Sequence, residues 1–258
     1  MDSKQNLKNR IYFIDEIRGL AVFCMIFYHA FYLFDSFFGW EWAEKMFYFF
    51  MPLQPIFAGI FIFICGISCT FSKNNLKRGL VLLCVAIGFT VVTAVVMPAL
   101  GFVDCEIYFG ILHFLSVGII IHSLLSKWKN KPAPAVGLAL CAVLYAFTST
   151  VENGYLSYGD LLYFEIPEVL YGYDYLMPLG IHSPGFYSAD YFPLLPDIFI
   201  FFAGVFCGSY FLQKGYPQWS RSERIRFFGF LGRHALPIYV VHMPAVYAVG
   251  YLINLFLI

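Results

Sequence analysis

Residues 14–29 read IDEIRGLAVFCMIFYH, and this stretch decides the fold because it is apolar yet carries charged groups. Prolonged to Phe38, it can cross a bilayer, for which about 20 residues suffice. Arg18 and His29 lie 11 positions apart. At about 100° and 1.5 Å per residue, they share one helical face and lie about 16 Å apart along the axis. Asp15 lies one turn before Arg18, within reach of an ion pair. The stretch therefore predicts a transmembrane helix with a polar track from one membrane surface to the bilayer interior.

The composition excludes a soluble globular protein. Of 258 residues, 60% are hydrophobic, 21% are aromatic and only 12% are charged, and the mean hydropathy is +0.73. Such a chain has too little polar surface to enclose a core in water, so we expect an all-α, polytopic transmembrane bundle that forms one domain over residues 1–258. The formal net charge is zero and no basic patch lies outside the loops, which argues against nucleic-acid binding. The N-terminal segment MDSKQNLKNR has no small-residue cleavage site, so we expect the first span to be retained.

Seven apolar spans follow from the hydropathy of the chain. They cover residues 17–38, 47–71, 79–99, 108–126, 133–150, 191–212 and 231–257. If all seven cross the membrane, 13 of the 16 Lys and Arg fall in loops on the same side. These are Lys4, Lys8, Arg10, Lys73, Lys77, Arg78, Lys127, Lys129, Lys131, Lys214, Arg221, Arg224 and Arg226. By the positive-inside rule, this arrangement predicts a cytoplasmic N-terminus and an external C-terminus.

The opposite loops are acidic, and the longest of them covers residues 151–190 and is rich in Tyr, Pro and Gly. A connector of this length usually has a function of its own. Tyr rings and carboxylates together suit a polar or sugar-like ligand. The alternative is that the Tyr and Trp side chains only form the aromatic belt at the membrane interface.

Ionisable residues within the apolar spans mark candidate functional sites, because leaving a charge unpaired there is costly. The candidates are His29, His113 and His242 at middle or outer levels, Asp190 at the outer end of a span, and Arg233 and His234 at the start of the last span. For each histidine, the alternative is a neutral ring that bonds to a backbone carbonyl. Three histidines can hold zinc in principle, but nothing in the spacing indicates such a site, so no metal is predicted.

An arginine at the inner surface and a histidine at mid-depth suit a ligand with one anionic end and one reactive end. The guanidinium of Arg18 matches the geometry of phosphate groups. The imidazole of His29 can act as a general base or as a transient nucleophile near neutral pH. Acyl-coenzyme A has this shape, with phosphates at one end and a thioester on a long arm.

Six segments of the sequence carry a resemblance to a known family. They are IDEIRGLAVFCMIFYH, FIFICGIS, RGLVLL, GILHFL, DYFPLLPDIFIFFAGVFCG and GRHALPIYVVH, and they extend from about Tyr12 to Tyr247. In these segments and in this order, the chain resembles the bacterial branch of the heparan-alpha-glucosaminide N-acetyltransferase family. The Arg-x10-His spacing is also similar to that of membrane acyltransferases that modify surface polysaccharides and lipid-linked sugars.

The resemblance implies an acyltransferase in the cytoplasmic membrane of a bacterium. It would transfer an acetyl group from cytoplasmic acetyl-CoA to an amine or hydroxyl of a sugar or glycan at the outer face. Carried over by position, His29 is the first candidate for the catalytic histidine. Asp15, His113, Asp190 and His242 are the other candidate catalytic residues, and Arg18, Arg233 and His234 are the candidates for binding acetyl-CoA.

Two other classes of function remain open. A transporter of small solutes or ions would also place Arg and His inside a helical bundle, although the inverted repeats of many transporters are not evident. A seven-span binding or sensor protein is the third class, and it would bind ligand without turnover. A homodimer is a further expectation, because the small residues Gly59, Gly66, Gly204 and Gly208 permit close contact between helices, within the chain or between chains.

Overall fold

The computed structural model describes residues 10–127 and 132–257, in which α-helices dominate. The helices are α1 (Tyr12–Phe38), α2 (Glu41–Phe50), α3 (Gln54–Cys69), α4 (Asn75–Val91), α5 (Ile111–Leu125), α6 (Pro134–Thr148), α7 (Ile198–Lys214), α8 (Arg226–Arg233) and α9 (Ala235–Leu257). A π-helical turn, Val92–Val96, and a last α-helical turn, Met97–Ala99, extend α4. Lys4, Lys8, Lys129 and Lys131, which contributed to the predicted orientation, lie outside the described residues.

Within the described part of the chain, five helical segments are long and apolar enough to cross a membrane. They are Tyr12–Phe38, Glu41–Cys69, Asn75–Ala99, Pro134–Asn153 and Ala235–Phe256. Two shorter apolar helices, α5 and α7, lie in the other two predicted spans. The prediction of a predominantly helical membrane protein is therefore confirmed. Seven crossings and the orientation of the termini stay predictions.

The last predicted span, residues 231–257, is broken near its start. The helix α8 ends at Arg233, His234 leaves the helical region (φ −110°, ψ 23°), and α9 begins at Ala235. Arg233 and His234 lie at the break and Pro237 follows it, but the apolar residues on both sides made the segment read as one span. Pro237 has no backbone N–H to donate to the carbonyl of Arg233, so a continuous helix would lose a hydrogen bond at this point. The helix α8 buries Gly229 and Gly232 and leaves Phe227 and Phe230 more than half exposed.

The contacts divide the chain into two compact units, one of Met1–Ile64 with Lys214–Ile258 and the other of Cys65–Gln213. In the first unit, α1 packs against α8 through two glycines. A Cβ on Gly19 would lie 1.9 Å from the carbonyl oxygen of Phe228, and a Cβ on Gly232 would lie 1.8 Å from the carbonyl oxygen of Asp15. The two backbones are therefore in direct contact, and no side chain fits at either glycine.

The second unit also uses glycines where its helices meet. A Cβ on Gly66 of α3 would lie 2.0 Å from the carbonyl oxygen of Phe201 on α7. A Cβ on Gly208 of α7 would lie 2.9 Å from Oγ1 of Thr70. Gly66 and Gly208 thus make close contacts within the chain. The homodimer for which they were candidates stays a prediction.

The long acidic loop contains a β-hairpin, which the sequence did not predict. Strand β1 (Tyr155–Tyr158) pairs antiparallel with β2 (Leu162–Glu165), and Tyr155 lies opposite Glu165. The strands read YLSY and LYFE, and neither shows the strict alternation of polar and apolar side chains that indicates a half-buried strand. Short 3₁₀ turns flank the hairpin at Val151–Asn153, Glu168–Gly172 and Met177–Leu179.

We expect Gly232→Ala to destabilise the protein by about 3 kcal/mol, at the upper end of the usual cost of overpacking. The reason is that the added methyl group would collide with the backbone of α1. In thermal unfolding followed by tryptophan fluorescence in detergent, this loss corresponds to a melting temperature about 6–12 °C lower.

The matched control is Gly88→Ala on α4, where an added methyl group meets no atom within 4 Å. This variant should melt at or slightly above the wild-type temperature, because Ala favours the helix over Gly. A Gly232→Ala protein as stable as wild type would contradict the direct backbone contact.

Candidate active site

The first turns of α1 carry a buried carboxylate that pairs with two arginines. One oxygen of Asp15 accepts a hydrogen bond from Nε of Arg10 at 2.7 Å, and the other accepts one from Nη1 of Arg18 at 3.0 Å. The ion pair that the spacing of Asp15 and Arg18 predicted is therefore present. Nη1 of Arg18 also donates to the carbonyl oxygen of Gly232 at 3.2 Å, so the pair lies against the end of α8.

A second buried carboxylate, Glu16, lies beside Asp15 and was not a predicted site residue. Its Oε1 accepts the backbone N–H groups of Arg224 at 2.5 Å and Ile225 at 2.8 Å. These N–H groups lie just before α8, where a negative charge interacts favourably with the helix dipole. An acidic residue at the start of an apolar span was the available sequence signal, but nothing in the sequence indicated its backbone partners.

Two of the predicted histidines meet in the first unit. The rings of His29 on α1 and His242 on α9 lie 5.0 Å apart between centroids, at an angle of 61°. Nδ1 of His29 contacts the carbonyl oxygen of Met25 at 2.9 Å, and Nδ1 of His242 contacts that of Tyr239 at 2.7 Å. A carbonyl oxygen can only accept a hydrogen bond, so Nδ1 is the protonated nitrogen in both neutral rings. The lone pair that can take a proton or attack a carbonyl is therefore on Nε2 of each ring.

The candidate residues at the junction of α8 and α9 already have partners. Nη1 of Arg233 donates to Oε1 of Glu223 at 2.7 Å. The ring of His234 packs on Phe230, with 4.4 Å between the ring centroids, and its Nδ1 contacts the carbonyl oxygen of the same residue at 2.9 Å. A role for either residue in binding acetyl-CoA stays a prediction.

The other predicted site residues, His113 and Asp190, belong to the second unit, where both cap α5. Nδ1 of His113 accepts the backbone N–H of Gly110 at 3.2 Å, which requires the proton on Nε2, next to Oγ1 of Thr90 at 3.2 Å. The hydroxyl of Thr90 donates onward to the carbonyl oxygen of Ile107 at 2.8 Å. Oδ2 of Asp190 accepts the backbone N–H of Ile111 at 3.0 Å.

His113 thus has the opposite tautomer to His29 and His242, and both of its nitrogens take part in local hydrogen bonds. Its position within an apolar span marked it as a candidate from the sequence, but helix capping explains that position equally well. The catalytic roles predicted for His113 and Asp190 stay predictions. No sequence signal indicated Thr90, because a threonine in an apolar helix commonly bonds only to its own backbone.

The segment that follows α6 is the acidic part of the second unit. Oδ1 of Asp174 accepts the backbone N–H of Ser183 at 2.9 Å, and this hydrogen bond holds the pKa of the carboxyl below its usual value. A cleft of about 670 Å³ opens between the β-hairpin and the 3₁₀ turns on either side of it. Among the described residues, no three His, Cys, Asp or Glu side chains come together as a metal site.

Comparison with known protein families shows to which family the chain belongs. The family model for the catalytic domain of heparan-alpha-glucosaminide N-acetyltransferase matches residues 10–244. The chain belongs to the heparan-alpha-glucosaminide N-acetyltransferase family. No curated protein and no solved structure matches it significantly.

Membership of the heparan-alpha-glucosaminide N-acetyltransferase family, together with the long apolar helices, makes the chain a membrane acetyltransferase. The resemblance to this family, stated from the sequence motifs, is confirmed, whereas the assignment to its bacterial branch stays a prediction. All predicted site residues lie within the matched range: Asp15, Arg18, His29, His113, Asp190, Arg233, His234 and His242.

We expect the histidines of this acetyltransferase to differ in tautomer. With ¹⁵N-labelled histidine, NMR at a pH where the rings are neutral should show His29 and His242 protonated at Nδ1 and His113 protonated at Nε2. Signals are assigned by comparing His29→Asn, His113→Asn and His242→Asn with wild type. Protonation of His29 at Nε2 would contradict the tautomer assigned from the contact of its Nδ1 with the Met25 carbonyl oxygen.

Proposed function

We propose that the chain transfers an acetyl group from cytoplasmic acetyl-CoA to an amine or hydroxyl of a sugar or glycan at the outer face of a bacterial cytoplasmic membrane. The observation that carries the proposal is the pair of imidazoles on α1 and α9, with 5.0 Å between the ring centroids of His29 and His242. The family supplies the class of reaction. Seven crossings, with the N-terminus in the cytoplasm, would place the start of α1 on the donor side.

In the direct route, Nε2 of His29 takes the proton from the attacking N–H or O–H group of the acceptor. The lone pair of the acceptor then forms the new bond to the acetyl carbonyl carbon, and the C–S bond of the thioester breaks. The electron pair of that bond leaves with the thiolate of coenzyme A. Proton transfer to a positioned histidine contributes about 10²–10⁴-fold to the rate of such reactions.

In the two-step route, Nε2 of His29 itself attacks the thioester carbonyl, and the C–S bond breaks as an N–C bond forms to the ring. The acceptor then attacks this acetyl-imidazole, and the N–C bond breaks and returns its electron pair to Nε2. The proton of the acceptor N–H or O–H group ends on the thiolate of coenzyme A. Both routes need the same nitrogen unprotonated, as the contact of Nδ1 with the Met25 carbonyl favours. Covalent and general-base catalysis therefore both require that Nε2 of His29 is unprotonated.

His242 suits the role of a neutral neighbour that favours release of the proton from the reacting histidine. Two cationic rings so close together in apolar surroundings would repel each other strongly, so at most one ring is charged at a time. A proton taken up by one ring therefore suppresses proton uptake by the other, which favours passing the proton on to the leaving thiolate. This makes His242 a catalytic partner of His29.

The arginines divide into two groups by their contacts. Asp15 pairs with Arg18 as well as Arg10, and Glu223 pairs with Arg233, so Arg18 and Arg233 also position α1 and α8 besides their predicted role in binding acetyl-CoA. Arg221, Arg224 and Arg226 are exposed in the segment before α8 and at its start. Guanidinium groups exposed at a cytoplasmic surface suit the phosphates of acetyl-CoA, and we extend the predicted donor site to them.

We expect His29→Asn to lower acetyl transfer at least about 100-fold, because removal of a positioned base has an effect of this size. Asn can still donate a hydrogen bond to the Met25 carbonyl, so the melting temperature should remain close to that of wild type. Transfer is measured with radiolabelled acetyl-CoA and a panel of amino sugars on the purified protein in detergent.

His122→Asn, the same change in the last turn of α5, serves as the control and should retain the wild-type rate. Incubation with labelled acetyl-CoA alone separates the routes, because only the two-step route leaves label on the protein. Full activity of a folded His29→Asn protein would exclude His29 from the mechanism. Movement of a solute into liposomes without acetyl-CoA, together with no transfer, would favour a transporter instead.

A further inference from the structure

The chain between α7 and α9 contains a short amphipathic helix with an exposed apolar face. Residues 217–233, which we call the α8 segment, comprise a 3₁₀ turn, Gln218–Arg221, and the helix α8. One side of α8 is buried at Gly229 and Gly232. The opposite side exposes the rings of Phe227 and Phe230, which lie about 60° apart around the helix axis. Two aromatic rings therefore point away from the rest of the first unit.

The helix α8 crosses α1 near its charged start and does not run along it. Just before α8, the backbone N–H of Ile225 donates to Glu16, and near the other end Gly232 lies directly against the carbonyl oxygen of Asp15. Seven residues of helix span about 10 Å, yet these two contacts fall on adjacent residues of α1. With α1 as a membrane-spanning helix, α8 therefore lies along the membrane surface at the level of Asp15 and Glu16.

The α8 segment carries positive charge that its own acidic residue does not balance. The segment has four arginines and one acidic residue, Glu223, which pairs with Arg233. The other three arginines are exposed and, among the described residues, take part in no ion pair: Arg221, Arg224 and Arg226. The guanidinium of Arg224 lies over the ring of Trp219, 5.5 Å from its centroid. The exposed surface of the segment thus combines cations with aromatic rings.

We propose that the α8 segment binds anionic phospholipids of the leaflet around the start of α1. The rings of Phe227 and Phe230 would enter the boundary between headgroups and acyl chains, and the exposed guanidinium groups would pair with lipid phosphates. Aromatic residues on one face with arginines beside them are typical of a helix that lies in the membrane interface. The helix α9, which is long and apolar enough to cross a membrane, begins after a single intervening residue and so keeps α8 at the bilayer.

Lipid phosphates share their chemistry with the phosphates of acetyl-CoA, for which the same arginines are candidates. The exposed phenylalanines favour lipid as the ligand of this surface, because acyl chains can receive the two rings and a donor dissolved in water cannot. Arginine side chains can extend from an apolar boundary to phosphate groups while their methylene stems stay in apolar surroundings. The inference concerns the contact of the segment with the bilayer, so it does not rest on the proposed transfer reaction.

The test is the quenching of tryptophan fluorescence by lipids with brominated acyl chains, in the full chain reconstituted into bilayers. The four native tryptophans are replaced by phenylalanine, and Phe230→Trp supplies a single probe on α8. Brominated phosphatidylglycerol, which is anionic, is compared with brominated phosphatidylcholine in the same host bilayer. Both lipids should quench the probe, and the anionic lipid should bind beside it at least about fivefold more tightly, the effect of one arginine near an anionic surface.

Leu252→Trp on α9 is the matched position control. Leu252 is 54% exposed, against 53% for Phe230, and α9 contains no Lys or Arg. This probe should be quenched by both lipids with nearly equal affinity. In the chain with the probe at position 230, Arg224→Gln together with Arg226→Gln should abolish the preference for the anionic lipid. Lys77→Gln, which removes an exposed cation on α4, should leave that preference unchanged.

Native Trp219, retained as the only tryptophan, is a second probe that needs no substitution within the segment, and it should show the same preference. Equal affinity of the two lipids at position 230 would overturn the proposal, and so would the absence of quenching there when position 252 is quenched. An equal loss of preference in Lys77→Gln would also contradict it. Equal lipid affinities together with binding of coenzyme A that depends on Arg224 and Arg226 would assign these arginines to the donor alone.

Discussion

The contact between the backbones of α1 and α8 is the constraint on which the first unit depends. Gly19 and Gly232 bring the two helices so close that a methyl group on either would overlap a carbonyl oxygen of the other helix. Two buried carboxylates on α1 make this approach specific. Asp15 holds Arg18 against the Gly232 carbonyl, and Glu16 receives two backbone N–H groups just before α8. The charged start of an otherwise apolar helix is thus used to fix its neighbour, and each buried charge is compensated.

Fixing the start of α1 also orients its middle. At 11 residues from Arg18, His29 shares its face of the helix, and this face meets α9 at His242. The polar residues of α1 therefore divide into a group at its start that holds α8 and an imidazole that lies beside a second imidazole. Transmembrane helices satisfy their own backbone hydrogen bonds, so they can present an imidazole in surroundings that exclude bulk water. The backbone carbonyls of the two helices assign the proton to Nδ1 and so leave the reactive lone pair on Nε2.

The helices, the Asp15–Arg18 pair and the family could be predicted from the sequence, because apolar periodicity and short spacings are local properties. Contacts between residues far apart in the chain could not be predicted from the sequence. Glu16 caps a segment more than 200 residues away. The break at His234 precedes Pro237, but its place within an apolar span made it read as part of one helix. In the sequence, His113 and His29 are alike, because each is a histidine within an apolar span. Only the partners of their ring nitrogens distinguish a helix cap from a pair of facing imidazoles. The two strands of the hairpin, YLSY and LYFE, do not alternate between polar and apolar residues, so the sequence carries no strand signal there.

The most direct test of this account is thiol cross-linking in a chain whose seven native cysteines have been replaced. The pair His29→Cys with His242→Cys should cross-link readily with a short bifunctional thiol reagent. The pair Phe27→Cys with His242→Cys should not, because Phe27 is 42% exposed and lies about 200° around α1 from His29. Equal cross-linking of the two pairs, or efficient cross-linking of the Phe27 pair alone, would contradict the orientation of α1 on which the proposed chemistry depends.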